Sequence, residues 1–200
     1  MTSARLALRL PFAAVDDDRA GADQRLVARL RAGELSALGE AYDAHHAHVR
    51  AFARRVVGDE SLAEDLVQET FVTLPGAARR FRGESSLRTY LLSIAVRHAG
   101  HYVRAAARHR SALERLAREP RPSSPTPDEQ AHRAQLAAVL MRALDALPLE
   151  QRMAIVLCEV EGRTSAEAAR IVGVPEGTVR TRLFHAKRKL SGALRAEGVR

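Results

Sequence analysis

The sequence predicts an all-α fold: two small helical domains joined by a flexible proline-rich linker, the second ending in a helix-turn-helix. Three observations predict it. From Gln24 onward apolar residues recur at three- and four-residue spacing; no stretch alternates with period two for long enough to make a strand; and four of the eight prolines crowd into residues 119–129. With 200 residues and 46% hydrophobic content, the chain can bury one medium core or two small ones. The proline cluster favours two.

Residues 1–23 close on the charged run Asp16, Asp17, Asp18, Arg19 and read as a flexible leader. The first domain, residues 24–118, opens with apolar pairs at helical spacing: Leu26 and Leu30, then Leu35, Leu38 and Tyr42, then Val49, Phe52 and Val56, with Gly33 and Gly58 as breaks. In ESLAEDLVQETFVTL, Ser61 and Glu64 form an expected capping box. Leu62, Leu66, Thr70, Phe71 and Leu74 gather on one side of that helix; Glu64, Asp65, Gln68, Glu69 and Val72 gather on the other. An acidic face carrying an apolar residue repels phosphates and suits a protein partner with a basic surface.

The next block, RRFRGESSLRTYLLSIAVRHAGHYVRAAARHR, interleaves arginines with Phe81, Tyr90 and Tyr102. Basic side chains track a sugar-phosphate backbone while aromatic rings offer stacking surfaces for unpaired bases, although Phe81 and Tyr90 also fit a plain core role. Charge follows the same division. Residues 21–74 carry six basic and nine acidic side chains, residues 75–119 ten and three, and residues 176–200 seven and two. The net charge of +8 is therefore concentrated in two blocks, as in a chain that grips a polyanion at two places.

After the linker at 119–129, Thr126 offers an N-cap with Pro127 at the first helical position and Glu129 three residues on. The second domain, residues 130–200, divides into helices over about 127–146, 148–161, 165–172 and 175–195. Its last two make the helix-turn-helix. Thr164 and Glu167 form a capping box, Ala168 and Ala169 permit close helix contact, Gly173 makes the turn and Pro175 starts the second helix. On that helix Val179, Leu183, Ala186 and Leu190 share an inward face, while Gly177, Thr181, Phe184, His185 and Arg188 face outward. A major groove admits one such helix. Arg180, Thr181, Phe184 and His185 are the candidates for base edges, and Arg182, Lys187, Arg188 and Lys189 for phosphates.

Other classes fit poorly. Cys158 lies alone in the apolar run MAIVLCEVEG, which rules out a disulfide framework and a cysteine zinc site. No segment reaches the ~18 apolar residues of a membrane span, and Arg9 and Pro11 interrupt LALRLPFAAV before it resembles a signal peptide. A cytoplasmic protein is expected. His45 and His48 share a helix face beside His46, but no further ligand follows at metal spacing, and neither a glycine-rich phosphate loop nor a nucleophile motif occurs. Neither cofactor nor enzymatic activity is expected. The remaining alternative is a helix-turn-helix regulator that binds an operator and recruits nothing; it leaves the acidic helix and the aromatic-basic block without a purpose.

Four pieces in order, AEDLVQETF, FRGESSLRTYLLSIA, the proline-rich linker and ALPLEQRMAIVLCEVEGRTSAEAARIVGVPEGTVRTRL, resemble the extracytoplasmic-function sigma factors of bacterial RNA polymerase, within the sigma-70 family. The resemblance covers residues 25–195. It implies that the first domain corresponds to sigma region 2 and the second to region 4, with core polymerase, promoter DNA and an inhibitory anti-sigma protein as partners. Asp65, Gln68 and Glu69 would dock on the clamp helices of the β′ subunit, and the second domain would meet the β flap. Phe81, Arg82, Arg88, Tyr90, Arg97, His98 and Arg104 would capture the melted −10 element, and the outward face of the last helix would read the −35 element. The chain departs from the usual pattern at Tyr90, where the family commonly has Trp, and at His98, Gly100, His101 and His185.

Overall fold

A computed structural model of the chain describes residues 17–116 and 129–196. Their regular structure is helical: α1 (Asp17–Arg31), α2 (Leu35–Val57), α3 (Glu60–Ala78), α4 (Leu87–Leu116), α5 (Glu129–Asp145), α6 (Leu149–Ile155), α7 (Ser165–Val172) and α8 (Glu176–Ala196). A π-helical turn, Val156–Val160, continues α6. Within the expected leader, α1 already begins at Asp17. Asp23 explains part of its order: its carboxylate accepts the Leu87 backbone N–H at 2.7 Å and so ties α1 to the start of α4. Residues 1–16, Thr126, Pro127 and the expected linker short of Glu129 lie outside the described residues.

The breaks fall where glycine permits them. Gly33, Gly58 and Gly173 adopt positive φ, and Gly58 and Gly173 close α2 and α7. The start of α3 differs from expectation. Gly58 leaves Asp59 in extended conformation, and the Asp59 carboxylate caps the helix by accepting the Leu62 N–H at 3.0 Å. Ser61 thus falls inside the helix, and Glu64 pairs with Arg50 instead of closing a box. A charged cap at the positive end of the helix dipole outcompetes the serine two residues later. The Thr164–Glu167 box forms as expected, with both reciprocal bonds present.

Helices α1 to α4 enclose Phe52, Leu66, Leu74, Leu87, Leu91, Leu92 and Ile94, all fully buried. In the second half Ile155, Val156 and Leu157 meet Ala168, Ile171, Val179 and Ala186. The two halves touch. α4 packs on α7 and α2 on α5 and α6, so the buried residues form one connected cluster.

The seam between the halves is polar as well as apolar. Arg152 of α6 is 4% exposed; its Nη1 donates to the Val56 carbonyl at 2.7 Å and to Asp145 Oδ1 at 2.8 Å, and its Nη2 donates to the Asp145 carbonyl at 2.6 Å. Arg110 of α4 holds the other Asp145 oxygen at 3.0 Å. Burial pushes the Asp145 carboxyl above its usual range against the pull of these two cations. Gly58 sits directly under this carboxylate: a Cβ there would come within 2.1 Å of Asp145 Oδ1. The absence of a side chain is what lets the end of α2 approach.

Three measurements check this account. Thr164→Ala removes the cap of α7 and should cost about 1 kcal/mol in chemical denaturation. Asp59, held below the usual carboxylate range by the Leu62 N–H and by His109, stabilises the fold above its unfolded pKa; that contribution is lost as pH falls through the depressed folded value. Asp59→Asn should therefore flatten the acid limb of the stability profile. Burial pushes the Cys158 thiol up to about 11, so iodoacetamide at neutral pH should alkylate it only after unfolding.

Candidate protein and nucleic-acid interfaces

The outer face of α3 presents Asp65 and Gln68 to solvent with Glu69 half-buried beside them. Val72 continues this face at 75% exposure. The opposite face explains the orientation: Ala63, Leu66, Val67, Thr70, Phe71 and Leu74 are buried, leaving the polar residues no inward option. Glu69 Oε1 lies 3.8 Å from His98 Nδ1, and His98 Nε2 lies 3.3 Å from the Thr73 hydroxyl. Burial, with Glu69 and Asp65 close by, raises the Tyr102 phenol above its ordinary value. The acidic face is thus rimmed by His98 and Tyr102 of α4, which places His98 between the two expected surfaces instead of wholly on the nucleic-acid side.

Along α4 and the loop before it, the expected single-strand residues divide. Phe81 is 5% exposed and packs edge-on against Tyr90 with ring centroids 5.0 Å apart. Its carbonyl accepts from Arg31. Tyr90 is half-buried, and its hydroxyl donates to the Ala77 carbonyl at 2.7 Å. The Phe81 ring is therefore core and offers no face to a base, because the turn after α3 folds it under α4; Tyr90 is anchored from the same side. Arg88 is turned to another partner: its Nη2 donates to His48 Nδ1 at 2.5 Å and lies 4.0 Å from Glu161. Arg82, Arg97 and Arg104 are exposed as expected.

Sequence reading missed part of this surface. Arg97, His101, Arg104 and Arg108 are all exposed and spaced four, three and four residues apart, so they form one basic stripe along α4. The spacing itself was the available signal for His101 and Arg108.

Helix α8 turns Val179 and Ala186 into the core, with Leu183 and Leu190 partly buried against it. Arg180, Thr181, Phe184, His185, Arg188 and Lys189 are exposed. Phe184 is 63% exposed and meets the His185 ring edge-on at 5.5 Å. Arg180 pairs with Glu176 at 2.6 Å across one turn, and the Thr181 hydroxyl donates to the Gly177 carbonyl. An exposed pair of this kind is worth little, so it does not withhold Arg180 from a ligand. Lys187 reaches Glu159 at the end of the π turn at 2.7 Å. Arg182 is half-buried beside Glu150 and Ala154 of α6, nearer the domain's flank than its outer face.

Among the described residues no three His, Cys, Asp or Glu side chains converge to hold a metal, and no helix is long and apolar enough to cross a membrane. His46 stacks on Tyr42 with its Nδ1 near the Tyr42 carbonyl, and His48 faces Arg88, so the histidine cluster is dispersed.

Comparison with known proteins bears on these surfaces together. Residues 41–109 match the family described as Sigma-70 region 2, and residues 137–190 match Sigma-70, region 4. The chain is 32% identical over 173 residues to the ECF RNA polymerase sigma-E factor of Escherichia coli K12, covering 82% of this chain and 90% of that protein. It is 29% identical over 178 residues to the ECF RNA polymerase sigma factor SigM of Mycobacterium tuberculosis, covering 86% and 84%. Among solved structures, CnrH in complex with the cytosolic domain of CnrY superposes with a TM-score of 0.63 at 27% identity, over 88% of this chain and 98% of that one. The sigma factor RpoE, bound to the anti-sigma factor NepR from Bartonella quintana, gives 0.58 at 25% identity over 78% and 96%. With both sigma-70 regions matched in order and 32% identity to an ECF sigma factor over most of both chains, the chain belongs to the ECF RNA polymerase sigma factors.

Proposed function

We infer that this sigma factor, a non-catalytic subunit that directs RNA polymerase to its promoters, divides the work among three surfaces of opposite charge. The observation that carries the division is the α3 face. Asp65, Gln68 and Glu69 surround an exposed Val72 on a chain whose net charge is +8. A surface built for phosphates does not carry such a face; a dock for a basic protein surface does. The β′ clamp helices of core polymerase are its partner, and the second domain meets the β flap.

The outer face of α8 reads the −35 duplex, with Arg180, Thr181, Phe184 and His185 toward base edges and Lys187, Arg188 and Lys189 toward phosphates. Arg82 and the stripe Arg97, His101, Arg104 and Arg108 track the melted −10 strand by its phosphates. With Phe81 buried, base capture falls to the half-exposed edge of Tyr90 and its neighbours. Melting around ten pairs costs on the order of 14 kcal/mol at ~1.4 kcal/mol per step, which two small helical domains do not supply alone. Binding to core enzyme therefore precedes opening, and the work is done in the cytoplasm, where polymerase is. An anti-sigma protein is a further partner, of the kind seen with RpoE.

Reconstitution tests the whole. Added to core polymerase, the protein should start transcription at a promoter that core alone ignores; an operator-binding regulator would not. Charge reversal at Asp65 and Glu69 to Lys should abolish association with core while leaving helicity unchanged, and intact association would remove α3 from the interface. Arg180→Ala should weaken binding to the −35 duplex by about 1–3 kcal/mol and relax selectivity at one base pair. A uniform loss over all sequences would move Arg180 to the phosphates.

A further inference from the structure

The outward face of α8 is less polar than its charge suggests. The Thr181 hydroxyl commits its one proton to the Gly177 carbonyl at 3.0 Å, so what it can offer a base edge is its γ-methyl and an oxygen that only accepts. Three residues on, and therefore on the same face, Phe184 stands with its ring largely in solvent. The His185 ring meets it edge-on, with centroids 5.5 Å apart and planes at 72°. Arg180, Arg188 and Lys189, all exposed, surround this apolar pair with positive charge.

A single exposed ring is common on protein surfaces; its setting is what points to a ligand. Cations on either side draw in a polyanion, and an apolar group among them needs an apolar feature on that polyanion to touch. The major groove of duplex DNA offers one: the methyl group on C5 of thymine, beside edges that otherwise carry only hydrogen-bond donors and acceptors. Cytosine methylated at C5 presents the same group in the same place. His185 contributes through its neighbour. Edge-to-face contact is the favoured arrangement of two rings, and it limits the swing of an exposed side chain that nothing else in the fold holds. His185 is thus a positioning residue for Phe184, and Arg180 remains the polar reader on this face.

We propose that Phe184, with the Thr181 methyl beside it and His185 bracing its ring, reads the C5 methyl group of a pyrimidine in the −35 duplex, so that thymine and 5-methylcytosine satisfy the position while uracil and cytosine do not. This rests on the assignment of α8 to promoter reading and adds the chemical group that is read. Its consequence is that methylation of a cytosine at that position raises the affinity of this chain for a promoter without changing the base pair.

Holoenzyme reconstituted from core polymerase and the full chain tests it by selecting a −35 sequence from a pool of random duplexes. The selected duplex is then remade with deoxyuridine in place of each thymine in turn, and with cytosine or 5-methylcytosine opposite guanine at the position that responds. One thymine should emerge whose methyl group strengthens binding about fourfold, as expected for one methyl moved out of water, and 5-methylcytosine there should bind about fourfold better than cytosine. Phe184→Ala should bind the thymine and uracil forms equally. His185→Ala should shrink the ratio, and His185→Tyr, which keeps a ring, should restore it. Both side chains are exposed, so these replacements leave the core untouched. If wild type has no methyl-sensitive position, or if Phe184→Ala keeps the ratio, the proposal is overturned; should Phe184→Ala keep it but bind core polymerase more weakly, the ring is a protein contact instead. An unchanged ratio in His185→Ala overturns the bracing role. Failure to select any −35 sequence removes the assignment of α8 to promoter reading itself.

Discussion

The guanidinium of Arg152 is the interaction on which most of the architecture leans. It sits one turn into α6, fixes the α5–α6 corner by holding the Asp145 and Leu147 carbonyls and the Asp145 carboxylate, and spends its remaining reach on the Val56 carbonyl at the end of α2. That carbonyl lies at the negative end of a 23-residue helix, where a cation is favoured. One side chain therefore sets both the internal angle of the second half and its docking on the first. Burying such an ion is costly, and Asp145 registers the cost in its raised pKa. An apolar residue of similar volume would fill the space as well but would specify no orientation. Geometry, more than net stability, is what the buried pair contributes.

The seam as a whole joins apolar packing to charged contacts. Its apolar part is continuous with both cores, yet its fixed points are charged: Arg152 with Asp145 and Arg110 on one side, Glu161 with His48 and Arg88 on the other. Polar interfaces between units of one chain are those along which units move. Water can replace each of these partners once the halves separate, whereas a purely apolar seam would expose surface that aggregates. The expected division into two helical domains and the observed contact meet at this charged seam.

Local chemistry was legible in the sequence wherever neighbours along the chain decide the outcome. Thr164 with Glu167, the turn at Gly173, the inward run of Val179 and Ala186, and the exposure of Val72 and Phe184 all follow from spacing alone. Spacing failed where two local solutions competed or where a distant element chose. Asp59 displaced Ser61 as cap because a carboxylate beside a left-handed glycine starts the helix sooner. Phe81 looked like a stacking ring because it stands among arginines, but α4 folds over it. Arg152 and Glu161 could not be assigned at all, since their partners lie at the far side of the fold. A charged residue inside LEQRMAI, at a position that faces inward, was the faint sign that such a partner existed.

The π turn at Val156–Val160 has a geometric consequence of its own. An extra residue accommodated within one turn rotates everything beyond it by about 100° relative to an uninterrupted α-helix. The azimuth of Glu161, and through α7 that of the whole reading head, is therefore dialled by a single surplus residue. Shortening this segment by one position would swing both to another side of the axis while leaving every apolar contact of α6 upstream of it in phase. Length, not side-chain identity, is the variable that governs this stretch of chain.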